Sequence, residues 1–142
     1  MKPMFTADFI QSLATAAATV AYADGRLDPA ERREFGVCAQ RYLTPDAVRR
    51  WNVLALFDDR IRRLQRGPHQ GAEFLQELCV VAGTPRTSII LHAAERIAGA
   101  DGNVSAPETA ALTEIRHSLG IASDNRQRFA ACLLWGFPRT HR

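Results

Sequence analysis

The chain has 142 residues, 46% hydrophobic and 23% charged, enough to bury one substantial core without metals or disulfides and too apolar for a disordered or low-complexity class. Its 18 basic and 15 acidic residues give a net charge of +3, a weak pull towards polyanions that falls short of a nucleic-acid signature. Cys38, Cys79 and Cys132 form no CxxC pair and are odd in number, which fits buried thiols in a reducing compartment.

Thr6 is placed to cap a first helix, on which Phe9, Ile10, Leu13, Ala17, Val20 and Ala21 recur at helical spacing. Asp24-Gly25 stops it. Asp28-Pro29-Ala30-Glu31 then reads as a cap, a proline at the first helical position and a capping-box glutamate. Phe35, Cys38, Ala39 and Tyr42 form the apolar stripe of this second helix. Thr44-Pro45-Asp46 opens a third by the same logic. Its inner face is Ala47, Trp51, Leu54, Phe57, Ile61 and Leu64; Arg49, Arg50, Arg60, Arg63 and Arg66 are expected on its outer face.

Gly67-Pro68 breaks the chain. A helix around Ala72 to Val81 follows and ends at Gly83. Thr84-Pro85 opens the next, with Ile89, Ile90, Ala93, Ala94 and Ile97 facing inward, and Asp101-Gly102 stops it. Ser105-Ala106-Pro107-Glu108 is a second capping box, leading to Leu112, Ile115, Arg116 and Leu119. A last helix near Ser123 carries Phe129, Cys132, Leu133 and Trp135. No period-two strand pattern occurs, so the expected fold class is all-α. The N-terminus makes a poor signal peptide, being interrupted by Asp8, Gln11, Ser12 and Thr15. No stretch approaches the roughly 18 apolar residues of a membrane span, and cytoplasm is the default location.

Two segments align without gaps: Val20-Ala21-Tyr22-Ala23-Asp24-Gly25-Arg26-Leu27-Asp28-Pro29-Ala30-Glu31 and Ile97-Ala98-Gly99-Ala100-Asp101-Gly102-Asn103-Val104-Ser105-Ala106-Pro107-Glu108. Both read apolar-Ala-x-Ala-Asp-Gly-x-apolar-(Asp/Ser)-x-x-Glu. Repeated supersecondary units bury a shared core by packing on each other. The expectation is therefore a single helical domain over residues 1–142, of about seven helices, in two pseudo-symmetric halves, with the repeat around 13–42 and 90–119.

The doubled motif, in an all-helical chain of this length, resembles the tellurite-resistance TerB family, which includes TerB-like domains on membrane-anchored J-domain proteins. The likeness covers roughly Phe5 to Phe137. It implies a helical domain with two similar halves, no catalytic activity and a divalent-metal site built from the repeated acids. It also implies a role in tellurite and chemical-stress responses, in the cytoplasm or at the inner face of the membrane, with a protein partner. Carried over, the acids are Asp24, Asp28, Glu31, Asp101 and Glu108. Ser105 departs from the pattern by removing one carboxylate, and so does the basic balance of the chain.

Two explanations of those acids stand side by side. Carboxylates and carbonyls across a tight turn suit a hard cation, Ca²⁺ first, although the spacing is not that of an EF-hand and one copy is short of ligands. Alternatively Asp28 with Glu31, and Ser105 with Glu108, are capping boxes, while Asp24 and Asp101 close Asx turns. That explanation accounts for every residue of the motif, and the Asp/Ser interchange favours it. On it, the domain is a pure protein-interaction scaffold. The arginine face of the third helix suits a solvated surface, or failing that an acidic protein or lipid headgroups; it has no interleaved aromatics to stack bases, so no nucleic acid is expected. His69, His92, His117 and His141 lack ligand spacing. His92 and Glu95 lie one turn apart but have no second pair to build a di-iron site. No nucleophile–base pairing is visible.

Overall fold

The computed structural model describes residues 7–67 and 69–121. Seven α-helices and one short 3₁₀ turn follow in chain order: α1 (Ala7–Ala21), α2 (Pro29–Tyr42), α3 (Pro45–Trp51), α4 (Val53–Arg66), α5 (Gln70–Leu78), the 3₁₀ turn Cys79–Val81, α6 (Thr87–Ala98) and α7 (Ala106–Ser118). There is no strand among the described residues, so the fold is all-α as expected. Thr6, Cys132, Trp135, His141 and the expected last helix lie outside the described residues.

The fold is built around α1. This helix packs against α2, α4, α5, α6, α7 and the 3₁₀ turn. Its residues are correspondingly buried on every side: Phe9, Ile10, Leu13, Ala14, Ala16, Ala17, Ala18, Val20 and Ala21, with Ser12 and Thr15. An amphipathic surface helix would bury one stripe. The alanines of α1 instead let neighbouring backbones come close all round. Phe35 of α2 stacks on Phe57 of α4 with ring centroids 4.7 Å apart, and Ile90, Ala94 and Ile97 of α6 and Ile115 of α7 complete the same core.

The segment expected as one long third helix is two. Asn52 takes a left-handed conformation (φ 49°, ψ 61°), ends α3 and opens α4. Its N–H donates to the Arg49 carbonyl at 3.2 Å. Asparagine is among the few residues that visit this region readily. Thr44 caps α3 as expected, accepting from the Ala47 N–H at 3.1 Å.

Arg60 is not on the outer face. It is 7% exposed, and its Nε donates to the Thr15 hydroxyl of α1 at 3.0 Å. Its Nη1 pairs with Asp59 at 3.1 Å, and its guanidinium lies 5.9 Å from the Phe74 ring centre. One residue of α4 thus ties α1, α4 and α5 together. Of the solvent-facing arginines on these helices, Arg49 and Arg50 pair with Asp46, and Arg62 and Arg63 with Asp59, while exposed Arg66 makes no ion pair among the described residues. Arg32 of α2 makes a two-point contact with Asp58 of α4, both bonds 2.9 Å; that hydrogen bond holds the Asp58 carboxyl below its ordinary value.

Two further expectations are corrected. The next helix opens at Thr87 rather than at Thr84-Pro85, because the Thr84 hydroxyl donates back to the Val81 carbonyl at 2.8 Å instead of capping forward. Cys79 is exposed, not buried, since it sits where α5 tightens into the 3₁₀ turn. Cys38 is buried, and burial beside Glu34 pushes its thiol up to about 11, leaving it protonated and unreactive near neutrality.

The left-handed break gives a direct test. Asn52→Ala forces a Cβ-bearing residue without a compensating side-chain amide into that conformation and is expected to destabilise the fold by about 1 kcal/mol, read as a lowered melting temperature. Asn52→Gly is expected to leave it nearly unchanged. Equal losses in both variants would show that the asparagine side chain, not the backbone angle, is what matters.

Candidate functional site

The two copies of the motif form the same turn. Gly25 and Gly102 both have φ near +91°, a region that disfavours any side chain. Gly25 N–H donates to the Tyr22 carbonyl and Gly102 N–H to the Gly99 carbonyl, each at 3.0 Å. One residue earlier, Asp24 accepts from the Arg26 N–H at 3.3 Å and Asp101 from the Asn103 N–H at 3.0 Å. Both aspartates are exposed, and both close Asx turns.

The caps follow. Asp28 Oδ1 accepts from the Ala30 N–H at 2.8 Å, and Glu31 Oε1 accepts from the Asp28 N–H at 3.1 Å. In the second copy Ser105 Oγ accepts from the Glu108 N–H at 3.2 Å, and Glu108 Oε1 accepts from the Ser105 N–H at 2.8 Å. Both are complete capping boxes with proline in the first turn.

Capping alone does not account for where the glutamates lie. Capping residues ordinarily sit at the surface, yet Glu31 is 2% and Glu108 3% exposed. They hydrogen-bond to each other through their side chains. An ionised carboxylate can only accept, so this bond needs a proton on one of the two. Burial is the largest force on Glu31, followed by the Glu108 contact; the Asp28 backbone amide opposes them, and the charges of Glu108 and Asp24 add to the upward push. Together they raise the Glu31 carboxyl from 4.5 to about 8. Near neutrality the pair therefore holds one proton between two carboxyls.

Of the five acids marked in the sequence, Glu31 and Glu108 are thus brought into contact. Asp24 is near enough for its charge to act on Glu31. Asp28 is occupied at its own cap, and Asp101 in its own turn. Among the described residues, no group of three or more His, Cys, Asp or Glu side chains is placed to hold a metal ion. His92 meets the edge of the Tyr42 ring, and Glu95 pairs with Arg116, so that one-turn step serves packing and an ion pair. The contact between the glutamates was not anticipated. The signal in the residues is that the two glutamates hold the same position in the two copies of the motif.

A pH dependence follows from the pair. The native state keeps a proton on Glu31 at pH values where the unfolded chain, with an ordinary carboxyl near 4.5, has lost it. Unfolding between pH 4.5 and 8 releases that proton. Stability from this group is complete below about 4.5 and is lost as pH rises through about 8, with a slope of at most about 1.4 kcal/mol per pH unit. Glu31→Gln keeps the cap acceptor and mimics the protonated form. It is expected to flatten this part of the stability–pH curve, measured by chemical denaturation in chelator-treated buffer. A wild-type curve flat across the window would show that the proton is not held.

No helix of the described residues is long and apolar enough to cross a membrane. Comparison with curated proteins and with solved structures finds no match. The family described as tellurite resistance protein TerB matches residues 10–131, from the first turns of α1, past both Asp-Gly turns and both capping boxes. The chain belongs to the TerB family and is a tellurite-resistance-like domain.

Proposed function

We propose that this is a non-catalytic stress-response domain, acting through a protein partner in the cytoplasm or at the inner face of the membrane, whose state is set by a divalent cation at the repeated turns. The observation that carries the cation reading is the buried contact between Glu31 and Glu108. Two carboxyls that must share a proton form a place where a cation can replace it. Each glutamate spends Oε1 on its cap, leaving Oε2 of each for an ion. Asp24 adds charge from the side. Asp28 and Asp101 would join only by giving up their present hydrogen bonds. Water would complete the six to eight oxygens Ca²⁺ prefers. On this reading the two motif copies act together, as equivalent parts of two related halves.

The test is thermal unfolding of chelator-treated protein at neutral pH, with Ca²⁺, Mg²⁺, Mn²⁺ or Zn²⁺ added singly. A cation at about 100 times its dissociation constant adds about 2.7 kcal/mol, a rise of roughly 5 to 15 °C in a chain of this size. The rise is expected to disappear in Glu31→Gln and to shrink in Asp24→Asn. Because the ion displaces a proton, the wild-type rise is also expected to grow as pH increases from 6 to 8.

A second reading has its own support. Asp24, Asp28, Asp101 and Ser105 all have backbone partners at 2.8 to 3.3 Å, as a scaffold needing no ion would arrange them. On this reading the motif caps two helices, and the shared proton is only the consequence of packing them together. Absence of a melting-temperature rise with any of the four cations selects this reading. Ser105→Ala is then expected to lower stability by about 1 kcal/mol, in chelator and in cation alike.

A further inference from the structure

A second polar site lies away from the repeated turns, where α1, α4 and α5 meet. It is a cleft of about 490 Å³, within the range of small-molecule sites. Its inner end is formed by Arg60 and Ser12. Arg60 uses Nε on Thr15 and Nη1 on Asp59, and its Nη2 makes no hydrogen bond among the described residues. Ser12 is 5% exposed, lines the same cleft, and its hydroxyl likewise has no hydrogen-bond partner among the described residues. Buried polar groups of this kind are ordinarily satisfied. Two of them facing one cleft require polar atoms from outside the chain.

The cleft is lined by charges of both signs. Arg60 and Arg63 share one carboxylate, Asp59, at 3.1 and 3.2 Å. Asp8, one helical turn before Ser12 on α1, and Glu77 of α5 also line the cleft, and neither makes an ion pair among the described residues. The lining thus combines the free Nη2 of a buried guanidinium with two carboxylates, Asp8 and Glu77, that have no ion-pair partner among the described residues, and a molecule carrying both charges would meet both. Val80 is 66% exposed on the rim and offers an aliphatic surface.

We infer that this cleft binds a free aliphatic α-amino acid. The carboxylate accepts from Arg60 Nη2 and the Ser12 hydroxyl, the ammonium faces Asp8 and Glu77, and the side chain covers Val80.

The test is the melting temperature and calorimetric titration of the whole chain with L-valine, L-leucine and L-methionine, each compared with its amide and its N-acetyl derivative, which keep one charge apiece. At least one free amino acid is expected to raise the melting temperature by about 5 °C or more near saturation, while its amide and its N-acetyl form bind at least tenfold more weakly. Glu77 is exposed, so Glu77→Gln should fold normally; it and Ser12→Ala are each expected to weaken binding about tenfold or more, the loss of one hydrogen bond to a charged group. No binding by any of the three amino acids overturns the proposal. So does an amide or N-acetyl form that binds as well as its parent, or unchanged affinity in both variants.

Discussion

Everything in this fold answers to the burial of α1. A helix that is apolar over most of its surface, with only Asp8 and Gln11 exposed, must be surrounded, and α2, α4, α5, α6 and α7 are the elements that surround it. Alanine makes this possible: Ala14, Ala16, Ala17 and Ala18 keep the helix narrow, so five helices can reach it at once. The same burial dictates how its polar residues behave. Thr15, fully buried, needs a donor from a neighbour and receives one from Arg60; Thr19 turns its hydroxyl back to the Thr15 carbonyl at 2.8 Å. The central helix therefore recruits a charged residue into the interior, and that residue in turn organises α4 and α5.

The glutamate pair is the second consequence of close packing. A capping box at the surface would leave Glu31 and Glu108 solvated, and neither would need a proton near neutrality. Here α6 packs against both α1 and α2, and α7 against both α1 and α6. Pro29, Ala106 and Pro107 at the starts of α2 and α7 stay exposed, and it is the capping glutamates that turn inward. Each retains one backbone donor, enough to hold an oxygen in place but too little to offset burial, so the remaining oxygens find each other. Compare Glu34 and Glu95, which meet Arg96 and Arg116 at 2.8 and 3.1 Å. Glu31 makes no ion pair among the described residues, and burial with the Glu108 contact pushes it up.

Much of this was legible in the residues. Asp28-Pro29-x-Glu31 and Ser105-x-Pro107-Glu108 locate two helix starts, because a cap, an early proline and a reaching glutamate are local devices whose bonds close within four residues. Gly25 and Gly102 mark their turns for an equally local reason. What escaped were relations between distant segments. Helical periodicity carried straight through Asn52 points Arg60 to solvent, but a left-handed residue resets the phase of the helix, and nothing in a period reveals that a threonine forty-five positions earlier accepts its Nε–H. Residue type points Cys79 to the interior, whereas its exposure follows from the tightening of α5 into a 3₁₀ turn. The five acids were identified as a set; which of them meet depends on how the two repeats pack, and a linear pattern does not contain that.

That last point changes the weight of the Asp/Ser interchange. In sequence, serine at position 105 removes one carboxylate from a candidate ligand set and so favours capping. In space, position 28 and its counterpart 105 are the cap acceptors, bonded at 2.8 and 3.2 Å to their own helices, and either residue type performs that task. The residues that meet are glutamates in both copies. The interchange therefore leaves the buried pair intact, and it no longer separates a scaffold from an ion site. What separates them is the occupant of the space between two carboxyls. A proton binds there with an affinity set by burial and by the second carboxyl, and any cation must displace it, so the two compete on terms that shift with pH. A pure cap has no such competition, because its hydrogen bonds to backbone amides are the same whether the neighbouring glutamate holds a proton or an ion.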